Sequence, residues 1–239
     1  MEIKTFKTDL LAEKGGEALT DILCASGKKE TLLLLAGGSS MGMLQYVGPE
    51  TLGPHLTVTM LDERFSADPK ICNFLQLKTL PFYEWAAEAA ANVFDTSPQE
   101  GETIDELAAR WETMLREWTA GNPNGAVIST FGIGEDGHIC GIMPHPDNPQ
   151  RFKDLFENDG RWVAGYDAGA NFQFPLRVTT TFSFLRKYLT AGAVFVAGGK
   201  KRSALRKLLA PQGALPETPA RILNELPSIT LFTDLTVPM

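Results

Sequence analysis

The chain has 239 residues, 44% of them hydrophobic and 21% charged, which is enough apolar material for a large buried core and excludes a disordered chain. A formal net charge of −7 is a poor match for nucleic acid or an anionic membrane surface, although a few cations in a cleft can still hold a small anion. Three widely spaced cysteines, Cys24, Cys72 and Cys140, with no CxxC pair, argue against a disulfide scaffold and against a cysteine-rich zinc site.

From the start of the chain, Met1 to Leu10 alternates charged and apolar residues and lacks the continuous apolar stretch of a signal peptide. The longest apolar run, Leu32 to Ala36, falls far short of a membrane span, so the expected setting is a reduced cytoplasm. Leu10 to Ser26 carries apolar positions at helical spacing and stops at Gly27, which predicts a helix. Thr31 to Ala36 is a continuous apolar run that fits a strand buried on both faces.

That strand leads into Ala36-Gly37-Gly38-Ser39-Ser40-Met41-Gly42. Gly37 and Gly38 let the backbone approach a ligand closely, and the hydroxyls of Ser39 and Ser40 face the start of the next helix. Free N–H groups and the helix dipole there favour a phosphate, although the same residues also read as a plain turn. The segment is neither a Walker A loop nor a GxGxxG fingerprint. Leu56 to Leu61 is a second buried strand, ending on Asp62-Glu63-Arg64. Ligands gather at the carboxyl ends of parallel strands, where Asp62 could orient a sugar hydroxyl and Arg64 could grip phosphate or carboxylate. A solvated ion pair is the plainer alternative for those residues.

Ile104 to Trp118 places Ile104, Leu107, Ala108, Trp111, Met114, Leu115 and Trp118 on one helical stripe, with Thr103 and Glu106 as its capping box and Gly121 as its stop. A third strand, Ala126 to Ile133, runs into Gly132-Ile133-Gly134-Glu135-Asp136-Gly137-His138. A glycine cluster of this density is entropically costly and calls for a reason. A histidine suits general acid–base work, and Asp136, two residues before His138, is placed to set its tautomer. Cys140 to Phe174, rich in Pro, Gly, Asn and Asp, reads as a long irregular segment.

Arg177 precedes the polar run Val178-Thr179-Thr180-Thr181. A fourth strand, Ala193 to Ala197, precedes Gly198-Gly199-Lys200-Lys201, so Arg177 and Lys201 supply cations near strand ends or turns. A helix carrying Ala204, Leu205, Leu208 and Leu209 and a fifth strand, Ser228 to Phe232, close the pattern. His55 reads as exposed ahead of a strand, and His145 as part of a Pro-rich loop. Strands alternating with helices predict an α/β fold with a mostly parallel sheet covered on both faces. No shift of composition divides residues 1–239 into more than one domain.

In this order the segments resemble the glucosamine-6-phosphate isomerase/6-phosphogluconolactonase superfamily, whose members show GGSTP, then DER or DEY, a following Asn, G-x-G-x-DGH, R-x-T and G-x-x-K. Here the counterparts are GGSSM, DERF, Asn73, GIGEDGH, Arg177-Val178-Thr179 and Gly198-Gly199-Lys200-Lys201. The resemblance implies a single-domain, modified doubly wound sheet with helices on both faces. It implies hydrolysis of 6-phosphogluconolactone to 6-phosphogluconate, a reaction of the pentose phosphate pathway, with no metal or organic cofactor and no partner beyond a monomer or small homo-oligomer.

By the same resemblance, phosphate sits against Gly37, Gly38, Ser39 and Ser40 with Arg177 and Lys201 closing over it, and Arg64 faces phosphate or sugar. His138 is the general base, Asp136 its orienting partner, Asp62 the holder of a substrate hydroxyl, and backbone N–H groups near Gly134 to Gly137 serve the oxyanion. The aminosugar deaminase branch carries a Glu five residues after this His, whereas this chain has Met143, which cannot move protons. The lactonase branch reads DGHTASLFPGH, followed loosely from Asp136 to His145, with Ile139 and Met143 as departures. A phosphosugar isomerase or deaminase and a non-catalytic phosphosugar-binding protein remain the alternatives.

Overall fold

The apolar runs form the middle of a seven-stranded, wholly parallel sheet in the computed structural model, which describes residues 1–236. In chain order the elements are β1 (Glu2–Thr5), α1 (Thr8–Ser26), β2 (Thr31–Leu35), β3 (Leu56–Met60), β4 (Asp62–Arg64), α2 (Asn73–Leu77), α3 (Pro81–Glu88), β5 (Asn92–Val93) and α4 (Ile104–Gly121). Then follow β6 (Ala126–Gly132), α5 (Pro149–Phe156), β7 (Val163–Asp167), β8 (Leu176–Thr180), α6 (Phe182–Tyr188), β9 (Leu189–Val196), α7 (Arg202–Leu209) and β10 (Ile229–Thr233). The large sheet has the order β1-β10-β9-β6-β2-β3-β5.

In β2 every residue is buried, because β6 and β3 flank it: Leu33 lies opposite Val58 on one side and Ile128 on the other. Alternation along β9 shows both faces covered. Ala193 and Phe195 pack with Leu11 of α1 and Phe232 of β10, while Val194 and Val196 join the main core with Leu205 and Leu208 of α7. Helix α1 closely approaches the segment after β2 through Gly15 and Gly16; a Cβ on Gly16 would lie 2.5 Å from the Met43 carbonyl. It stops at Gly27, whose φ of 66° favours glycine.

The capping box of α4 forms as expected: Thr103 accepts from the Glu106 amide and Glu106 accepts from the Thr103 amide. The helix continues through Gly121 to a cap at Asn122, with Leu107, Ala108, Trp111 and Leu115 buried. The residues after β2 do not open an α-helix; Gly38–Tyr46 winds as a 3₁₀ helix.

Two further departures concern the segment from Cys140 to Phe174 and the residues around it. That segment is not irregular throughout, since it holds α5 and β7. Strand β7 joins β8 and β4 in a separate three-stranded antiparallel sheet, order β4-β8-β7. Its sequence, Val163-Ala164-Gly165-Tyr166-Asp167, carries a glycine at its centre, which weakens the strand signal. Gly165 is there because a Cβ would meet the Ile104 carbonyl of α4 at 2.9 Å. Bonds from the Thr180 amide and hydroxyl to the Leu61 carbonyl, at 3.2 and 3.0 Å, fasten the small sheet to the end of β3. Among the described residues all three cysteines are free, and no helix is long and apolar enough to cross a membrane.

Candidate active site

Because the large sheet is parallel, the segments after β2, β3, β6 and β9 all emerge at its carboxyl edge. There they surround a cavity of about 280 Å³ with Arg177 of the small sheet as a further wall. Gly37, Gly38 and Ser39 line it from one side, Asp62, Arg64 and Arg177 from another, and Gly134, Glu135, His138 and Lys201 close the rest.

The side-chain period of two on β4 sorts the Asp-Glu-Arg triplet. Asp62 and Arg64 line the cavity, and Glu63 turns to the opposite face, where it is fully buried. The Glu63 carboxylate accepts from the amides of Arg64 (2.7 Å), Asn73 (2.5 Å) and Phe74 (2.8 Å), tying β4 to the start of α2. Burial pushes it up to about 7 against those three donors. Arg64 and Arg177 stand directly opposite each other in the β4–β8 ladder. Burial and the neighbouring Arg177 charge lower Arg64. Asp62 is buried and raised by desolvation, while Arg177, Arg64 and His138 pull it back down. Gly141, at φ 64°, packs on its carboxylate; a Cβ there would lie 2.7 Å from Oδ2.

His138 projects from the glycine-rich loop after β6. Its Nδ1 lies 2.7 Å from Asp136 Oδ1, and its own amide donates to the same oxygen at 3.0 Å. Burial pushes the Asp136 carboxyl up, but the hydrogen bond and charge of His138 outweigh that and hold it below its ordinary range. An ionised carboxylate only accepts, so Nδ1 carries the proton and Nε2 is the free ring nitrogen. Gly134 cannot be anything larger, since a Cβ would fall 2.1 Å from the imidazole. Gly137 takes φ 94°, where side chains are strained. The amides of Gly134 and Gly137 donate to the carbonyls of His138 and Gly134, so these two amides serve the loop itself.

Lys201 reaches the Gly37–Ser39 turn, its Nζ 3.4 Å from Ser39 Oγ; burial lowers it, and Glu135 opposes that. Two expected residues do not line the cavity: Asp136, which acts on it only through its bond to His138, and Ser40. The Ser40 hydroxyl is buried and donates to the carbonyls of Ala36 and Gly37, so it braces the turn.

Asn73 on the cavity wall, and Glu63 and Phe174 behind it, hold the lining residues in place without a role that their sequence pattern specifies. Asn73 is buried, donates to the Asp62 carbonyl at 2.9 Å, and leaves Oδ1 without a hydrogen-bond partner among the described residues. It had a place in the quoted pattern as the following Asn but no assigned role. Glu63 was visible in the triplet, yet only the strand's alternation separates it from its neighbours. Phe174 carried no signal at all: its ring lies 4.9 Å from the Arg64 guanidinium and its carbonyl accepts from Arg177 Nε at 2.9 Å. His55 belongs to the other end of the sheet, where its carbonyl accepts from Thr31 at the start of β2. His145 bonds the Pro144 carbonyl and packs on Phe156 and Tyr166. No group of three or more His, Cys, Asp or Glu among the described residues is arranged to hold a metal.

This arrangement has relatives. The structure resembles that of 6-phosphogluconolactonase from Trypanosoma brucei, with a TM-score of 0.75 at 20% identity over 97% of this chain and 95% of that one. The enzyme of the same name from Shewanella baltica gives 0.75 at 17% identity over 98% and 97%, and that from Thermotoga maritima 0.67 at 18% over 97% and 98%. At these identities the likeness establishes the fold. No curated protein matches the sequence. The family model for glucosamine-6-phosphate isomerases/6-phosphogluconolactonase matches residues 7–230, nearly the whole α/β unit and every segment that lines the cavity. The chain therefore belongs to the glucosamine-6-phosphate isomerase/6-phosphogluconolactonase family.

Proposed function

We propose that the chain hydrolyses the lactone ester of 6-phosphogluconolactone to 6-phosphogluconate, a pentose phosphate pathway reaction, with His138 as general base. The observation that carries this reading is the His138–Asp136 pair, whose Nε2 is left free beside a cavity holding Arg64, Arg177 and Lys201. In this mechanism Nε2 takes a proton from water as the water oxygen bonds to the lactone carbonyl carbon. The tetrahedral intermediate then breaks its bond to the ring oxygen, which receives the proton from His138 as it leaves. The product acid ionises in solution. Asp136 holds the tautomer and faces the transient imidazolium. In the same scheme Asp62 holds a sugar hydroxyl, and Gly37, Gly38, Ser39, Arg177 and Lys201 receive phosphate, with Arg64 beside them.

The position of the deaminase branch's Glu supports the lactonase over the deaminase reading. Met143 there is 1% exposed and its amide donates to the Tyr166 hydroxyl, so the site offers no proton carrier at that point. Acid release from freshly made 6-phosphogluconolactone, measured against its spontaneous hydrolysis, tests the proposal. Catalysed release is expected, and His138→Ala is expected to lower turnover about 10²–10⁴-fold with the fold retained. Ammonia release from glucosamine 6-phosphate at an enzymatic rate, or no acceleration of lactone opening, would overturn it.

A further inference from the structure

Arg64 and Arg177 pose an electrostatic problem. They sit directly opposite in an antiparallel ladder, which brings their side chains to the same face of the small sheet, and like charges so placed repel. Arg177 is buried, and the Nε of Arg64 is buried without a hydrogen-bond partner. The arginine–carboxylate ion pairs found among the described residues belong to Arg110, Arg116 and Arg186, none of them at this site. Asp62 attracts both guanidiniums but forms no ion pair with either among the described residues, so a further contact must fix the two side by side.

Phe174 touches both. Its ring face takes the Arg64 guanidinium, whose central carbon lies 4.9 Å from the ring centroid, and its backbone carbonyl accepts from Arg177 Nε at 2.9 Å. Phe174 lies in the connection between β7 and β8, which is pinned at both ends. The Ala168 amide donates to the Pro175 carbonyl at 2.9 Å, and the Phe65 amide to the Leu176 carbonyl at 3.0 Å. An aromatic face attracts a cation without neutralising it, so both arginines keep their full charge for a ligand. A carboxylate in the same place would compete with that ligand.

We propose that Phe174 is a positioning residue that holds Arg64 and Arg177 side by side as one receptor for a dianion. The inference rests on the phosphorylated-lactone reading only for the identity of that dianion. Phe174 contacts no reacting atom in this scheme; it acts through the arginines.

The test compares Phe174→Leu, which removes the ring face but keeps the backbone carbonyl, with Phe174→Tyr, which keeps both. Binding of 6-phosphogluconate is measured by calorimetry, and stabilisation by inorganic phosphate is measured as a shift in melting temperature. Phe174→Leu is expected to weaken 6-phosphogluconate binding about three- to thirtyfold, and Phe174→Tyr to stay within about twofold of the natural protein. Melting temperatures without anion report whether either change disturbs the fold, and Phe174 is only half-buried. If 6-phosphogluconate fails to bind the natural protein while phosphate stabilises it more than Phe174→Leu, the substrate reading fails and the role of Phe174 stands. If neither anion distinguishes the natural protein from Phe174→Leu, or if Phe174→Tyr loses as much as Phe174→Leu, the role of Phe174 is overturned.

Discussion

Replacing Asp136 by Asn separates the orienting role of this residue from simple occupancy of its position. The substitution keeps the shape of the side chain and leaves one oxygen able to accept from His138, but it removes the charge. In the structure a single carboxylate oxygen takes both the Nδ1 proton at 2.7 Å and the His138 amide at 3.0 Å. Hydrogen bonds to a charged partner contribute about 1.5–3 kcal/mol and neutral ones about 0.5–1.5, so the exchange costs roughly 1–1.5 kcal/mol. The Asp136 side chain is 40% exposed, so water screens its longer-range attraction for the imidazolium, and that attraction adds little to the figure. A free-energy loss of that size is about a tenfold change in rate. The loss should fall on kcat, because the imidazolium exists only after the proton has moved, and KM should change by less than about twofold. Steady-state acid release from the lactone, corrected for spontaneous opening, reads both constants. An Asp136→Asn enzyme with unchanged kcat, or one whose loss lies wholly in KM, would refute the assignment of Asp136 as the partner of a catalytic His138.

The remaining predictions address the cations, a buried acid and a helix cap. Arg177→Ala or Lys201→Ala should raise KM for the phosphorylated lactone roughly ten- to a hundredfold, the value of one buried charge-assisted contact of about 1.5–3 kcal/mol, and leave action on the unphosphorylated lactone unchanged; equal losses on both substrates would count against a phosphate cradle. Glu63, pushed up to about 7 from an ordinary 4.5, keeps its proton in the folded chain between those values while the unfolded chain releases it. Its contribution to stability is therefore greatest below about pH 4.5 and falls as pH rises toward 7, by up to roughly 1.4 kcal/mol per pH unit. Melting curves across that range should show a shallower fall for Glu63→Gln than for the natural chain, and parallel curves would exclude the raised acid. Thr103→Ala, which removes the cap of α4, should cost about 1 kcal/mol and lower the melting temperature by about 2–4 °C without affecting turnover; calorimetry and the lactone assay check the two halves.

Much of this molecule was legible in one dimension because its signals are local. A strand buried on both faces must be apolar at every position, so Leu32 to Leu35 declared itself, as did Val58, Ile128 and Val194 in their own strands. A capping box is complete within four residues, and Thr103 with Glu106 formed as read. Glycines packed against a histidine are equally local, and the loop holding Gly134, Asp136 and His138 stands where its spacing placed it.

What the sequence could not determine is which residues meet across long separations, and which way each faces. Gly165 obscures β7 because its reason lies in the backbone of α4, distant in the chain, and without β7 the small sheet that aligns Arg64 with Arg177 is invisible. Alternation along a three-residue strand, set only by its pairing with β8, sends Glu63 to the core and Asp62 and Arg64 to the cavity. Ser40 looked like a ligand for phosphate until the 3₁₀ winding of Gly38–Tyr46 turned its hydroxyl onto the Ala36 and Gly37 carbonyls. Hydrogen bonds, burial and facing directions depend on tertiary distance, and tertiary structure alone assigned Phe174, Asn73 and Glu63 their places around the site.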